Sequence, residues 1–209
     1  LTSGQLLSLE RADLQALSTV QIGALSSVQL NYLSTVQMVS LLTSQVRGLT
    51  TLQVGALTSV NLNALGTSQF QALTTLQVAA LKASQVASLE TADLLSLGSE
   101  QLRALGTAGI AALRSEQVMA LSAEKFASLT TGQIAALTTS SLALLGSEKL
   151  AMLTTLQVGG LKTQQLLGLS SESLNALTTE QFAALKVTQL PSLTSGQLLS
   201  LERADLQAL

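Results

Sequence analysis

The carboxylates are the one set of side chains here whose type and spacing could do acid/base chemistry. Glu10 and Asp13 flank Arg11, the same group recurs as Glu202, Arg203 and Asp205, and Glu90 and Asp93 repeat the spacing. General acid/base catalysis also needs a cleft and a partner held against the reacting atom, and the sequence around these pairs signals neither. Lys125 and Lys149 share the register of the aspartates and read as surface variants. The chain has no Cys and no His, which removes thiol nucleophiles, disulfides and the commoner zinc sites. It also has no phosphate-binding glycine loop, nucleophile elbow or metal-ligand cluster. The expectation is a protein that is not an enzyme, with no catalytic, cofactor-binding or metal residues.

The elements around those carboxylates explain them better. A Leu stands at position 1 and at every eighth residue as far as Leu209, so the chain is twenty-six octads and a closing Leu. Counting each octad from its Leu, position 2 or 3 is usually Ser or Thr and position 5 usually Gln, as in Thr50-Thr51-Leu52-Gln53. That is a capping box: the hydroxyl accepts from the backbone N–H of position 5, and the Gln reaches back to the N–H of the cap. The Leu before the cap and the apolar residue at position 6, such as Ile22, Val54 or Phe126, form the two halves of a hydrophobic staple. Each octad therefore starts a helix, has room for little more than one turn, and starts the next. Steps of five and then three between core positions cannot lie on one face of a strand, which rules against a β-solenoid. Position 8 is nearly always Ala, Ser or Gly, Tyr32, Leu144 and Met152 apart. A small residue there suits a corner where the next backbone passes close by.

One octad cannot fold alone. Its two large apolar side chains contribute about 1.5–3 kcal/mol each when buried, against roughly 1.5 kcal/mol per residue for ordering the chain. Stacking of octads is what reverses the sign. The expected fold is all-α, a continuous solenoid (superhelix) of very short helices, one per eight-residue repeat, with two to four octads per superhelical turn. Residues 1–209 form a single such solenoid.

Charged residues are 11% of the chain, aromatics 2%, and the formal net charge is −2, so no basic surface invites nucleic acid. Mean hydropathy is positive at +0.46. Yet no apolar run approaches the ~18 residues of a transmembrane helix, and no membrane insertion is expected. The start without Met, and terminal octads that follow the interior pattern, fit an internal or processed segment of a longer array.

A second period overlies the first. Residues 193–209 are identical to residues 1–17, idiosyncratic Gly4, Glu10, Arg11 and Asp13 included. The offset implies a 192-residue super-repeat, either of a natural giant array or of engineered ends. Between Asp13 and Lys82 the sole charged residue is Arg47, and position 4 is often aliphatic: Val20, Val28, Val36, Leu52, Val60 and Leu76. Later octads carry Glu there, as at Glu100 and Glu116, where the helix dipole favours it. The aliphatic set lies off the core columns. It reads either as an assembly surface for a neighbouring solenoid or as side chains folded over their own corners. Pro191, at position 7, lacks the N–H that would bond the carbonyl of Val187 and should loosen its helix. The Gly159-Gly160 pair should soften the turn before Leu161. Gly109 and Ser141 replace the position-5 Gln and lose half a capping box, at about 0.5–1 kcal/mol each.

Segments such as Leu73–Leu81, LTTLQVAAL, and Leu129–Leu137, LTTGQIAAL, resemble the LTTxQ[VI]xAL octapeptide-repeat arrays inside very large secreted or surface proteins of Gram-negative bacteria. The resemblance covers the whole chain and implies an extended extracellular or cell-surface stalk or filament; self-association with neighbouring solenoids or further repeats is expected from the aliphatic position-4 set. A single octad is also similar to the first-helix start of transcription-activator-like effector repeats. Those have a second helix and a base-reading loop that this chain lacks, so no function carries over. Alternatives to the structural role are a solenoid that holds a peptide or glycan in a groove, and a designed repeat scaffold.

Overall fold

A computed structural model of the chain describes Thr2 to Leu209. Among these residues all regular structure is helical: α-helices of five or six residues run from Ser3–Leu7 to Arg203–Ala208, one per octad save at Pro191, with no strand. Each starts where the cap signals place it. In helix Thr51–Ala56 the Thr50 hydroxyl accepts from Gln53 N at 3.1 Å and Gln53 Oε1 accepts from Thr50 N at 2.7 Å. Where position 2 has no hydroxyl, the glutamine half persists, as at Leu42, Gly66 and Arg114. The corners need no unusual backbone. Leu57 turns the chain at φ −58°, ψ 137°, and no described residue has a positive φ.

The helices pack against others three octads away. Contacts divide the chain into two units, Leu1–Gly109 and Ile110–Leu209. In the first, Thr43–Arg47 packs on Thr67–Ala72 and Thr75–Ala79 on Ser99–Ala104. In the second, Ser115–Ala120 packs on Thr139–Ala143 and Thr155–Gly159 on Thr179–Ala183. The superhelix of each unit thus takes three to four octads per turn, the upper part of the expected range.

Both predicted columns form the core. Position 6 is at most 1% exposed from Leu6 to Phe182, and position 1 is buried from Leu33 to Leu177. The columns are sheltered from opposite sides. Leu9, Leu17 and Leu25 are only half-buried although Leu6, Leu14 and Ile22 are fully so; Leu198 and Leu206 are exposed although Leu193 and Leu201 are buried. Position 1 is therefore covered by the turn before it and position 6 by the turn after it.

Glutamine at position 5 joins the turns. Its Oε1 closes the capping box while its Nε2 donates to backbone carbonyls 28 and 31 residues earlier: Gln53 to Leu25 at 2.6 Å and Ile22 at 3.0 Å, Gln165 to Leu137 at 2.9 Å and Ile134 at 3.1 Å. Those carbonyls lie at helix C-termini, which short helices leave unsatisfied. Both ends of the amide are thus used, and Gln45, Gln53, Gln77 and Gln165 are at most 2% exposed. At several octads position 7 adds a shorter link, as in Gln15 to Ser40 O and Asn31 to Ala56 O, both 2.7 Å.

The reason for small residues at position 8 differs from the expected one. A Cβ on Gly160 would stand 2.2 Å from Thr131 Cγ2, one on Gly168 2.2 Å from Thr139 Cγ2, and one on Gly48 2.8 Å from Thr19 Cβ. Position 8 therefore meets position 3 of the preceding turn and not the backbone of the next corner. The exceptions fit: in the same register, Tyr32 is matched by Ser3, Leu144 by Ser115 and Met152 by Ala123. We expect Gly160→Leu to lose about 1–3 kcal/mol by overpacking. Thr131→Ala should restore most of that loss, as thermal unfolding of the two single variants and the double would show. Gly159 has a related role, since its Cβ would lie 2.8 Å from Ala184 O.

Pro191 does loosen its octad. The α-helix is replaced by a 3-10 turn, Leu190–Ser192, and Leu185 and Leu190 are only half-buried. Gln189 nonetheless keeps its bond to Leu161 O at 2.6 Å. Ser141 keeps the hydroxyl half of its cap, Ser141 N to Thr138 Oγ1 at 3.1 Å, and its own hydroxyl lies 3.2 Å from Ser115 Oγ.

Candidate functional site

The six aliphatic residues picked out at position 4 point to solvent: Val20, Val28, Val36, Leu52, Val60 and Leu76 are 64–78% exposed, as is Leu156 further along at 77%. They do not fold over their own corners. The three-octad packing decides which of them align. Helix Ser27–Asn31 packs on Thr51–Ala56, which packs on Thr75–Ala79, so Val28, Leu52 and Leu76 hold one position on three stacked helices. Thr35–Ser40 on Ser59–Asn63 aligns Val36 with Val60 in the same way. Val20 is followed by Ser44 and Ser68 at the equivalent positions. Three-octad packing thus gives a row of three, Val28, Leu52 and Leu76, and a row of two, Val36 and Val60.

The acidic pairs lie in separate octads and differ in burial. Glu10, Glu90 and Glu202 are exposed, while Asp93 and Asp205 are 5% and 6% exposed. The three pairs also differ locally. Asp13 Oδ2 accepts from Glu10 N at 3.0 Å, closing a capping box that is absent at Glu90–Asp93. Asp205 Oδ1 accepts from the Thr179 hydroxyl at 2.9 Å. Burial, and secondarily the charge of Glu90, push the Asp93 carboxyl up to about 6. Among the described residues no group of three His, Cys, Asp or Glu could hold a metal ion, and no helix is long and apolar enough to cross a membrane.

Lys149, half-buried, does more than its sequence suggested. Its Nζ donates to the Met119 carbonyl in the preceding turn, taking the part that Gln plays elsewhere. Burial lowers its pKa, with Glu148 acting in the opposite direction. Asn61 does the same through Nδ2, to Asn31 O at 3.2 Å and Leu33 O at 3.3 Å. The signal that sequence reasoning missed was available. A capping box accepts Glu as readily as Gln, yet none of the twenty-six octads has Glu at position 5. Most octads keep a donor there, Asp13, Asp93, Asp205 and Gly109 apart.

These features set the unit apart as an LTT-x-Q octad whose Gln ties one turn to the next. A family model for the ALTTAQ repeat matches residues 6–43, 86–123 and 158–195, together more than half of the chain. The chain belongs to the ALTTAQ repeat family. In the family's own lettering the A is position 8, the small residue that meets the preceding turn, and the Q is position 5, the rung of the ladder. A search of the curated proteins gave no match.

Proposed function

We propose that this ALTTAQ array is a structural segment of a fibre, stalk or filament displayed outside a Gram-negative cell, and that it associates with a second copy through the column Val28, Leu52 and Leu76. The supporting observation is that column: three exposed aliphatic side chains on consecutive stacked helices, in a region of sequence whose one charge between Asp13 and Lys82 is Arg47. Two such faces meet without like-charge repulsion, and apolar surface favours the contact. The segment supplies length and spacing, performs no catalysis, takes no cofactor and binds no nucleic acid.

Leu52→Glu with Leu76→Glu tests the reading. Each Leu contributes about 1.5–3 kcal/mol when covered, so the double variant should weaken self-association at least ~100-fold in sedimentation velocity. Its circular dichroism should be unchanged, since both side chains lie outside the core. A wild-type chain that stays monomeric at high micromolar concentration, or a double variant that associates as before, would overturn it.

A further inference from the structure

The three Asn residues at position 7 are Asn31, Asn63 and Asn175, and in the turn that follows each stands a short side chain at position 5: Asn61, Asp93 and Asp205 respectively. The pairing has a structural reason, complete at the first site. Asn61 is too short to close the capping box on Thr58, so Asn31 Oδ1 accepts from Thr58 N at 2.9 Å. Asn31 Nδ2 donates to Ala56 O at 2.7 Å, and Asn61 Nδ2 donates to Asn31 O and Leu33 O. The second site is the same arrangement moved on by four octads. Asn63 Nδ2 donates to Ser88 O at 2.7 Å, matching the first site, but Asn63 Oδ1 is buried with no partner. Two things have changed: the backbone N–H of Glu90 does not bond Asn63 Oδ1 as that of Thr58 bonds Asn31 Oδ1, and the donor amide of Asn61 is replaced by the Asp93 carboxyl, 5% exposed and without a capping box. By the register of the first site, the acceptors matching those of Asn61 are the carbonyls of Asn63 and Leu65, to which an ionised carboxylate can donate nothing. The third site shows where a carboxylate turns instead, to the hydroxyl 26 residues back, as Asp205 does to Thr179. For Asp93 that residue is Thr67.

We propose that Asn63, Asp93 and Thr67 form a proton-controlled joint between stacked turns. Protonated Asp93 donates to the acceptors of the preceding turn as Asn61 does, and ionised Asp93 swings to the Thr67 hydroxyl and releases that turn. The charged surroundings fit this. Glu90 stands on its own helix cap and opposes ionisation, and helix Thr67–Ala72, packed against it, carries no ionisable side chain. The direction of the pH effect follows. The folded carboxyl holds its proton to about 6 against 3.8 for the free group, so the folded state binds the proton more tightly. The joint is closed below about pH 4 and is lost as pH rises through about 6.

Carbon-13 NMR titration of the wild-type Asp93 carboxyl, assigned by its absence in Asp93→Asn, reads the proton directly. A midpoint near 6 is expected, rising further in Thr67→Val, which removes the alternative partner. In thermal unfolding, wild type should lose melting temperature between pH 4.5 and 7.5 relative to Asp93→Asn, which carries the Asn61 arrangement permanently. A midpoint near 4, a midpoint unmoved by Thr67→Val, or the same pH slope in wild type and Asp93→Asn would each overturn the joint.

Discussion

Gln77→Glu should destabilise the protein by about 3–5 kcal/mol at neutral pH, although it changes one nitrogen to oxygen. Gln77 is 2% exposed, and its Nε2 donates to the carbonyls of Val46, Arg47 and Leu49 at 2.9, 3.2 and 2.7 Å. A carboxylate in its place directs negative charge at three acceptors in a buried site. Gln21→Glu makes the control. Gln21 is exposed and uses only its Oε1, which accepts from Ser18 N at 2.8 Å, a role Glu fills equally. Its effect should lie within about 0.5 kcal/mol. Urea unfolding of both variants at pH 7 and again at pH 4.5 checks the argument, because protonating the introduced buried carboxylate restores one donor and should recover part of the loss. Equal effects from the two substitutions would reduce position 5 to a capping residue.

Phe70→Ala should lose about 3–5 kcal/mol, since Phe70 is fully buried. The pattern of the loss is more informative than its size. Phe70 belongs to helix Thr67–Ala72, which packs on Thr91–Ser96, and its carbonyl accepts from Gln101 Nε2 at 3.0 Å. In a solenoid a defect weakens the units it touches. Hydrogen exchange should therefore quicken in Thr91–Ser96 and Ser99–Ala104 more than in the sequence-adjacent helix Thr75–Ala79. Faster exchange confined to the sequence neighbours would mean that the octads shelter their core locally.

The local grammar of the fold was legible in the sequence, because each octad repeats its own start signal. Thr50 and Gln53 announce a helix by themselves, and the Leu and position-6 columns follow from the staple. Closure over three to four octads was hidden for the same reason: a capping box is satisfied within one octad and says nothing about the next turn. The information lay in substitutions that a cap alone does not explain. Lys149 and Asn61 keep a donor where Gln stood, Asn63 anticipates Asp93 in the turn after it, and Leu144 and Met152 find a Ser and an Ala at the matching place in the turn before. The exposed aliphatic residues were visible from position 4 alone, but their alignment into Val28, Leu52 and Leu76 required knowing the pitch.

Every rung that Gln makes between turns ends on a peptide carbonyl, a group that each residue presents whatever its side chain. A gene encoding such an array can therefore gain or lose any multiple of eight codons by slippage, and each amide then finds a chemically identical acceptor one octad along. These rungs survive a change of length without a matched second mutation, whereas the side-chain matches between turns, such as Gly160 with Thr131, are reset by it.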